Sequence, residues 1–260
     1  MTSKKPFLHI AILSVSVCLA LASIGRFTSR VQAQNIPNGQ QISSQWEIAQ
    51  AFKPQNRGAP PSTAGAGVRS GCVKSATPLT ALMPGNILPL TVEENPTFLV
   101  YIPETQATMA EFVLKDDEDR DVFRRTMPIP ATAGIFSFKI AETIPAPKLE
   151  LGKNYQWFFA LICQEEDRRE DVFVDATMQR TTLSADVLKQ LEKASPNERA
   201  GLYANNGIWF EAASTLAELR RDRPKDVKLA ANWQELLQSV GLEKFASQPL
   251  LHPATQPELN

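Results

Sequence analysis

The central part of the chain alternates short apolar runs with breaks rich in proline, glycine or charge. Seven runs lie between about Leu79 and Leu183: ILPLTV, TFLVYI, AEFVLK, DVFRRTM, GIFSFKI, YQWFFALIC and DVFVDATMQRT. Their length, their spacing and their content of β-branched and aromatic residues are typical of an all-β sandwich. The pattern predicts a β-sandwich domain over residues 72–183.

The sixth run, YQWFFALIC, is the most apolar stretch after the N-terminal region. Read with a period of two, it places Tyr155, Trp157 and Phe159 on one face and mostly apolar residues on the other, as in a central strand. Its nine residues are too few to span a membrane as a helix. Leu151 and Gly152 precede Tyr155 at the spacing of a tyrosine corner, which indicates an immunoglobulin-like or fibronectin type III-like sandwich.

The spacing of apolar residues changes to that of a helix after Leu183, which predicts a helical region over residues 184–241. Ser184 is placed to cap a first helix whose apolar stripe is Val187, Leu188 and Leu191. The fold class is therefore mainly β with an α-helical tail. Residues 242–260 contain several proline and glutamine residues, and we expect them to form a flexible tail.

A helix pair is expected over about residues 196–205 and 208–221, followed by one further helix at AANWQELLQSV. The pair resembles one tetratricopeptide repeat in its small, aromatic, glycine and proline positions: Ala200, Tyr203, Gly207, Trp209, Ala212, Leu216 and Pro224. A single repeat has too little apolar surface to stabilise itself. We therefore expect the helices to dock on the sandwich, and an independently folded interaction module is the alternative.

The N-terminal region has the order of a secretory signal peptide. Lys4 and Lys5 precede an apolar run over residues 7–24, and a cleavage site ends at Ala33. Residues 1–33 are therefore predicted to be the signal peptide of an exported protein, periplasmic or extracellular. An uncleaved anchor is the alternative, because the apolar run is just long enough to span a bilayer. After cleavage we expect no stable membrane insertion.

Removal of this leader changes the charge and the cysteine content. Four of the 27 basic residues and none of the 28 acidic residues lie in it, so the mature chain would be more acidic than the full chain, whose net charge is −1. An acidic exported chain is a poor nucleic-acid binder. Cys18 leaves with the leader, and Cys72 and Cys163 remain as a pair that we expect to form a disulfide.

Residues 34–71 are rich in Gln, Asn, Pro, Gly, Ser and Ala, and Trp46, Ile48 and Phe52 are isolated apolar residues within them. Such a composition cannot bury a core, so this segment is predicted to be a disordered linker.

Several segments together resemble one family: RGAPPSTAGAGVRSGC, NPTFLVYIPE, AEFVLKDDEDRDVFR, LELGKNYQWFFALIC and ERAGLYANNGIWFEAASTLAELR. They are similar to the exported cyanobacterial proteins grouped as domain-of-unknown-function family 928. The resemblance covers most of the mature chain and implies a cyanobacterial source and an exported location. It implies no activity, cofactor or catalytic residue.

The predicted folded body contains no histidine, because His9 lies in the leader and His252 in the tail. Catalytic triads, zinc sites and Cys-His pairs commonly depend on an imidazole. Cys163 follows a buried strand with no basic cluster to activate its thiol, so a disulfide is favoured over a nucleophile. We therefore predict that the chain is not an enzyme and binds no cofactor.

Asp117, Asp119 and Asp121 alternate in the segment KDDEDRD and resemble the start of a calcium-binding loop. Val122 stands where that loop needs glycine, and Pro128 stands where it needs a bidentate glutamate. The three aspartates are therefore weak candidates for metal ligands, and a polar hairpin turn is the favoured interpretation. A second charged loop, QEEDRRED, should lie at the opposite end of the sandwich and form no joint site with the first.

Two functions from different classes remain open. The first is a non-catalytic interaction or scaffold module of the cell envelope, which binds an unknown protein partner through its helices or charged loops. The second is a carbohydrate-binding accessory protein of the envelope. Two or more coplanar exposed Trp or Tyr rings would favour a sugar. Trp157 and Trp209, however, fall in patterns that bury them.

Overall fold

Each of the seven apolar runs contains a strand, and one further short strand precedes them. The computed structural model describes residues 52–53, 71–130, 132–140 and 147–251. Its strands are β1 (Thr80–Ala81), β2 (Leu90–Thr91), β3 (Thr97–Ile102), β4 (Met109–Asp116), β5 (Asp121–Pro128), β6 (Gly134–Lys139), β7 (Asn154–Leu161) and β8 (Val172–Arg180). The sequence did not predict β1, because its two residues carry no alternating pattern.

The strands form two sheets. β1, β3 and β6 make a three-stranded sheet, and β2, β8, β7, β4 and β5 follow one another in a five-stranded sheet. Among the described pairs, β2 and β8 run parallel and the others run antiparallel. The predicted mainly β fold is confirmed, and YQWFFALIC supplies β7, the middle strand of the larger sheet.

Aromatic side chains from both sheets form the core. The ring centroid of Phe98 on β3 lies 4.8 Å from that of Phe112 on β4 and 5.4 Å from that of Trp157 on β7. All three side chains are fully buried. Burial of a large apolar side chain stabilises a fold by roughly 2 to 3 kcal/mol. The facing rings therefore hold the two sheets together.

Four helices follow the last strand: α1 (Ala185–Lys193), α2 (Pro196–Asn205), α3 (Trp209–Asp222) and α4 (Val227–Gln238). As predicted, Ser184 caps α1, and its hydroxyl accepts a hydrogen bond from the N–H of Val187 at 3.4 Å. Leu191 of the predicted apolar stripe is buried, but Leu188 is 47% exposed, because α1 packs mainly on α2. Within the described ranges, no helix has the length and apolar character needed to cross a membrane.

The helices pack on the sandwich, which confirms the predicted docking. α3 contacts β2 and β3. The indole N–H of Trp209 donates a hydrogen bond to the backbone oxygen of Leu82 at 2.8 Å. The ring centroid of Phe210 lies 5.6 Å from that of Phe98, so the sandwich core continues into the helical region.

Two segments that the sequence predicts to be unstructured are packed in part. Phe52, from the predicted linker 34–71, is buried and meets Trp209 edge-on at 5.2 Å. In the predicted tail 242–260, a 3₁₀ turn at Glu243–Phe245 buries Phe245 against Tyr101 at 4.9 Å. An isolated aromatic residue in a polar segment can thus complete a core that composition alone does not reveal. The predicted signal peptide, most of the linker and residues 252–260 lie outside the described residues.

Tyr155 makes the hydrogen bond expected of a tyrosine corner. Its hydroxyl accepts from the backbone N–H of Glu150 at 2.9 Å, and the residue is buried. Tyr155→Phe removes this acceptor. We expect the free energy of unfolding, measured by urea denaturation, to fall by about 1 to 2 kcal/mol.

The matched control for this prediction is Tyr101→Phe. Tyr101 is equally buried, and its hydroxyl makes no hydrogen bond to the described part of the chain. We expect the control to change the free energy of unfolding by less than about 0.5 kcal/mol. Equal losses in the two variants would show that the bond to Glu150 contributes nothing specific.

Candidate functional site

One face of the five-stranded sheet points away from the core. The alternation of side chains along β4, β7 and β8 places these residues on that face, which we call the outer sheet face: Glu111, Val113, Lys115, Gln156, Phe158, Ala160, Phe173, Asp175 and Thr177. Of the described helices, α3 packs on β2 and β3, and no described helix packs extensively on β4, β5, β7 or β8. Its side chains are therefore candidates for contact with another molecule.

Two phenylalanines give this face an apolar centre. Phe158 lies opposite Asp175, and Phe173 lies opposite Ala160, so the two rings are diagonal neighbours across β7 and β8. Phe173 is 44% exposed. The Nζ of Lys115 lies 5.8 Å from the ring centroid of Phe158, which partly covers that ring. Phe173 is thus the more accessible of the two.

Ion pairs border the apolar centre. Glu111 accepts from Arg124 at 2.7 Å and lies 3.5 Å from Arg168. Arg124 also pairs with Asp121 at 2.6 Å, and Arg168 pairs with Asp171 at 2.5 Å. Pairs this close to solvent contribute at most about 1 kcal/mol each. Their main effect is to fix the direction of long charged side chains around the rings.

A polar group with unused bonding capacity lies beside Phe158. Asp175 is buried, and its Oδ2 accepts from the amide of Gln156 at 3.0 Å. The other oxygen of Asp175, Oδ1, and the hydroxyl of Thr177 are buried without a hydrogen-bond partner in the described structure. Most buried polar groups in proteins are paired. These two atoms therefore have hydrogen-bonding capacity that the described chain does not use.

The three aspartates considered as metal ligands lie at the β4–β5 hairpin, and Asp119 has a positive φ of 62° in its turn. Asp119 pairs with Lys115 at 2.8 Å, and Asp121 pairs with Arg124. Asp117 and Asp119 help to line a small pocket of about 200 Å³. The favoured polar hairpin turn is confirmed. In the described ranges, no group of three or more His, Cys, Asp or Glu side chains could hold a metal ion.

Asp116 fixes the shape of this turn. Its Oδ1 accepts from the backbone N–H groups of Glu118 and Arg120, each at 3.0 Å, and its Oδ2 pairs with Arg120 at 2.7 Å. The hydrogen bond from the Arg120 side chain is the main reason that the pKa of Asp116 lies below its usual value. The carboxylate that sequence reasoning overlooked is therefore the one that organises the turn.

The two charged loops lie at opposite ends of the larger sheet, as predicted. Asp116 pairs in register with Tyr155, and Ala110 pairs with Leu161. The β4–β5 turn therefore follows one end of β4, and the loop at residues 162–171 lies near its other end. Asp121 and Asp171 are nevertheless linked by ion pairs through Arg124, Glu111 and Arg168. In the described ranges the carboxylates of the two loops form no metal-binding group.

The two cysteines of the described residues are bonded to each other. Cys72 and Cys163 form a disulfide with their Cα atoms 5.6 Å apart, as predicted. The backbone N–H of Cys163 also donates to Asp171 at 3.1 Å, which ties the disulfide to the β7–β8 loop. A bonded sulfur is not a nucleophile, so Cys163 has a structural role. Both histidines, His9 and His252, lie outside the described residues.

A buried carboxyl joins the helices to the larger sheet. Glu211, in the first turn of α3, accepts through Oε1 a hydrogen bond from the hydroxyl of Thr91. The backbone N–H groups of Val92 and Glu93 donate to the same oxygen, each at 3.2 Å. Burial raises the pKa of Glu211 to about 7 against the opposing effect of the Thr91 bond. The group that holds β2 against α3 therefore titrates near neutral pH.

Sequence reasoning missed both Glu211 and the exposed ring of Phe173. The available signal for Glu211 is the segment WFEAAS, where one acid interrupts residues that are otherwise apolar or small. The signal for Phe173 is its position between Val172 and Val174, which both point inward. A strict period of two places Phe173 on the opposite side of the sheet.

One family model covers every described strand and helix. No curated protein matches the chain. The family described as Domain of Unknown Function (DUF928) matches residues 64–250, which include every described strand and helix. The chain belongs to this family.

Proposed function

We propose that the chain is a non-catalytic interaction or scaffold module of the cell envelope, and that a protein partner binds its outer sheet face. The observation that carries the proposal is Phe173, 44% exposed on a sheet face that no described helix covers. A sheet buries its apolar side chains against another layer, because they gain free energy by leaving water. In this proposal, the bound partner is the layer that covers the outer sheet face.

The composition of the outer sheet face fits a protein interface. Such interfaces concentrate aromatic residues at the centre and charged residues at the rim. Phe158 and Phe173 form the centre here, and Lys115, Arg124 and Arg168 stand around it with their acidic partners. In this arrangement the rings supply most of the affinity, and the charges select the partner and its orientation.

The proposed location rests on the leader and on the disulfide. The order of basic, apolar and small residues up to Ala33 supports a signal peptide. The Cys72–Cys163 bond supports folding in an oxidising compartment, such as a periplasm. A cyanobacterial source belongs to the same proposal and rests on the resemblance of the sequence segments.

We include two finer assignments of fold in the proposal. The bond between Tyr155 and Glu150 supports an immunoglobulin-like or fibronectin type III-like sandwich. The helix pair α2–α3 supports a single tetratricopeptide-like unit, since Gly207 takes the turn with a φ of 72° and Trp209 is buried. Neither assignment changes the choice of the outer sheet face as the interface.

The replacement Phe173→Ser tests this function. Wild-type and variant chains, tagged and expressed with the leader, are crosslinked in intact envelopes, and the proteins that co-purify are quantified. We expect one protein to be enriched with the wild type, and its yield to fall roughly tenfold in the variant, because an exposed aromatic anchor is lost.

Leu151→Ser is the matched control for this experiment. Leu151 is 59% exposed, but it lies in the turn before β7 and outside the outer sheet face. The control should retain the partner at the wild-type yield. Undiminished yield with Phe173→Ser, or an equal loss with both variants, would contradict the assignment of this face.

Carbohydrate binding is the second candidate function, and the unpaired Oδ1 of Asp175 and hydroxyl of Thr177 favour it. Sugar sites combine such polar groups with an aromatic surface. The protein partner is preferred because Trp157, Trp209 and Trp233 are fully buried, and the large exposed apolar residues of the described ranges include no Trp or Tyr. Calorimetric binding of envelope polysaccharide fragments that Asp175→Asn abolishes would reverse this preference.

A further inference from the structure

A surface pocket on the helical region lies apart from the outer sheet face. Its volume is about 430 Å³, and its walls come from α3, α4 and the segment after α4: Arg220, Ala230, Gln234, Glu243, Ala246 and Ser247. Ala230 and Gln234 are one helical turn apart on α4, so both face the pocket.

Arg220 supplies the positive charge of this pocket. Its Nη1 donates to the backbone oxygen of Ala246 at 3.2 Å, and its guanidinium carbon lies 5.9 Å from the ring centroid of Trp233. No carboxylate of the described chain forms an ion pair with it. Partial burial lowers the pKa of Arg220, and no neighbouring acid opposes that effect.

A partly buried guanidinium without a counter-ion has lost water and gained no charged partner. The helix dipole offsets part of this cost, because Arg220 stands in the last turn of α3. One of its five N–H groups bonds Ala246, and the described residues offer no acceptor to the others. A planar anion with two oxygens matches the guanidinium fork best.

We propose that this pocket binds a single carboxylate group of a peptide, either an acidic side chain or the C-terminus, with Arg220 as its bidentate partner. Glu243 in the wall selects against a phosphate dianion, which would meet a like charge. Gln234 and Ser247 offer neutral hydrogen-bonding groups to the adjoining peptide units. The proposal goes beyond the interaction at the outer sheet face and uses none of its residues.

Three short peptides with acetylated N-termini test the site on the full-length mature chain. One carries a single glutamate and an amidated C-terminus, one carries no acid but a free C-terminus, and one carries neither. NMR titration follows the side-chain N–H signal of Arg220. We expect one or both of the carboxylate peptides to shift this signal, and the peptide that does so identifies the source of the group. A shift with the neutral peptide, or with none, overturns the proposal.

Variants separate the pocket from general charge effects. Arg220→Gln should weaken binding about tenfold or more. Arg223→Gln, at an exposed arginine that pairs with Asp226 at the end of the same helix, should leave binding unchanged. Glu243→Gln should tighten binding severalfold, and this test stands even if Arg220→Gln fails to fold. Wild-type affinity in Arg220→Gln, unchanged affinity in Glu243→Gln, or inorganic phosphate binding as tightly as the peptide would overturn the site.

Discussion

Replacing Glu211 with glutamine is expected to raise the free energy of unfolding by about 3 kcal/mol at pH 8, and by less than about 1 kcal/mol at pH 5. Burial raises the pKa of this carboxyl from 4.5 to about 7. At pH 8 the folded chain therefore holds a buried charge, while at pH 5 the group is protonated. Glutamine keeps an acceptor oxygen for Thr91 and the two backbone amides but carries no charge.

The wild-type chain should lose stability as the pH rises. Between pH 4.5 and about 7 the folded chain keeps a proton on Glu211 that the unfolded chain has released, so unfolding becomes easier. Above this range the group is ionised in both states and adds no further pH dependence. Glu93 raises the pKa further through its like charge, and Tyr203, whose own pKa is raised above 10.0, stays neutral throughout.

Other described carboxylates act in a different pH range. The pKa values of Asp116 and Glu94 are lowered by hydrogen bonds from Arg120 and Lys148, so their contributions to stability change only below the pH range in which Glu211 titrates.

Urea denaturation at pH 5 and at pH 8 isolates the effect of Glu211 on stability. Glu218→Gln, at an exposed position of the same helix, is the control and should follow the wild type. Parallel pH profiles for wild type and Glu211→Gln would mean that Glu211 is not buried as a proton-binding group.

The strands could be predicted because their apolar spacing is local information. A period of two survives in YQWFFALIC whichever strands lie beside it, so the sequence identified β7 as a central strand. The pairing of the strands, in contrast, could not be predicted from local spacing. The parallel pairing of β2 with β8 joins residues about ninety positions apart, and no turn between them specifies the register. Phe52 also reaches the core through a contact that its own polar segment does not encode.

The candidate site was predictable only in part, for a related reason. The disulfide followed from counting cysteines, and the turn with Asp117 and Asp119 followed from its composition. YQWFFALIC is apolar on both faces, and this pattern does not say whether a second layer covers the side that carries Phe158. Arg220 had no signal at all, because arginine in the last turn of a helix is ordinary. Only the fold shows that Arg220 contacts Trp233 and Ala246 and forms no ion pair with an acid of the described chain.

Deleting all residues after Thr182 should destabilise the remaining sandwich on the order of 5 kcal/mol or more, which approaches the total stability of a typical domain. The deletion removes Trp209, which bonds the backbone of Leu82, and Phe245, which covers Tyr101. It also removes Leu250, which forms a bridge with Ile135 of β6. The apolar side chains left exposed should make the fragment aggregate.

The variant Trp209→Ala tests the contact between helices and sandwich without removing the helical region. The variant keeps the other helical contacts, so it should lose less stability than the deletion does. We expect its free energy of unfolding, measured by urea denaturation, to fall by about 3 to 5 kcal/mol, the usual cost of removing a buried tryptophan side chain. Trp209→Ala should still unfold sheet and helices in a single transition, because Phe210 and Phe98 belong to one core. The prediction would be contradicted if the fragment kept the urea midpoint of the full chain and residues 184–241 folded independently. The contact between helices and sheet would then contribute no stability. In that case α3 would not stabilise the sandwich, and the helical region would be the better candidate for the partner-binding module.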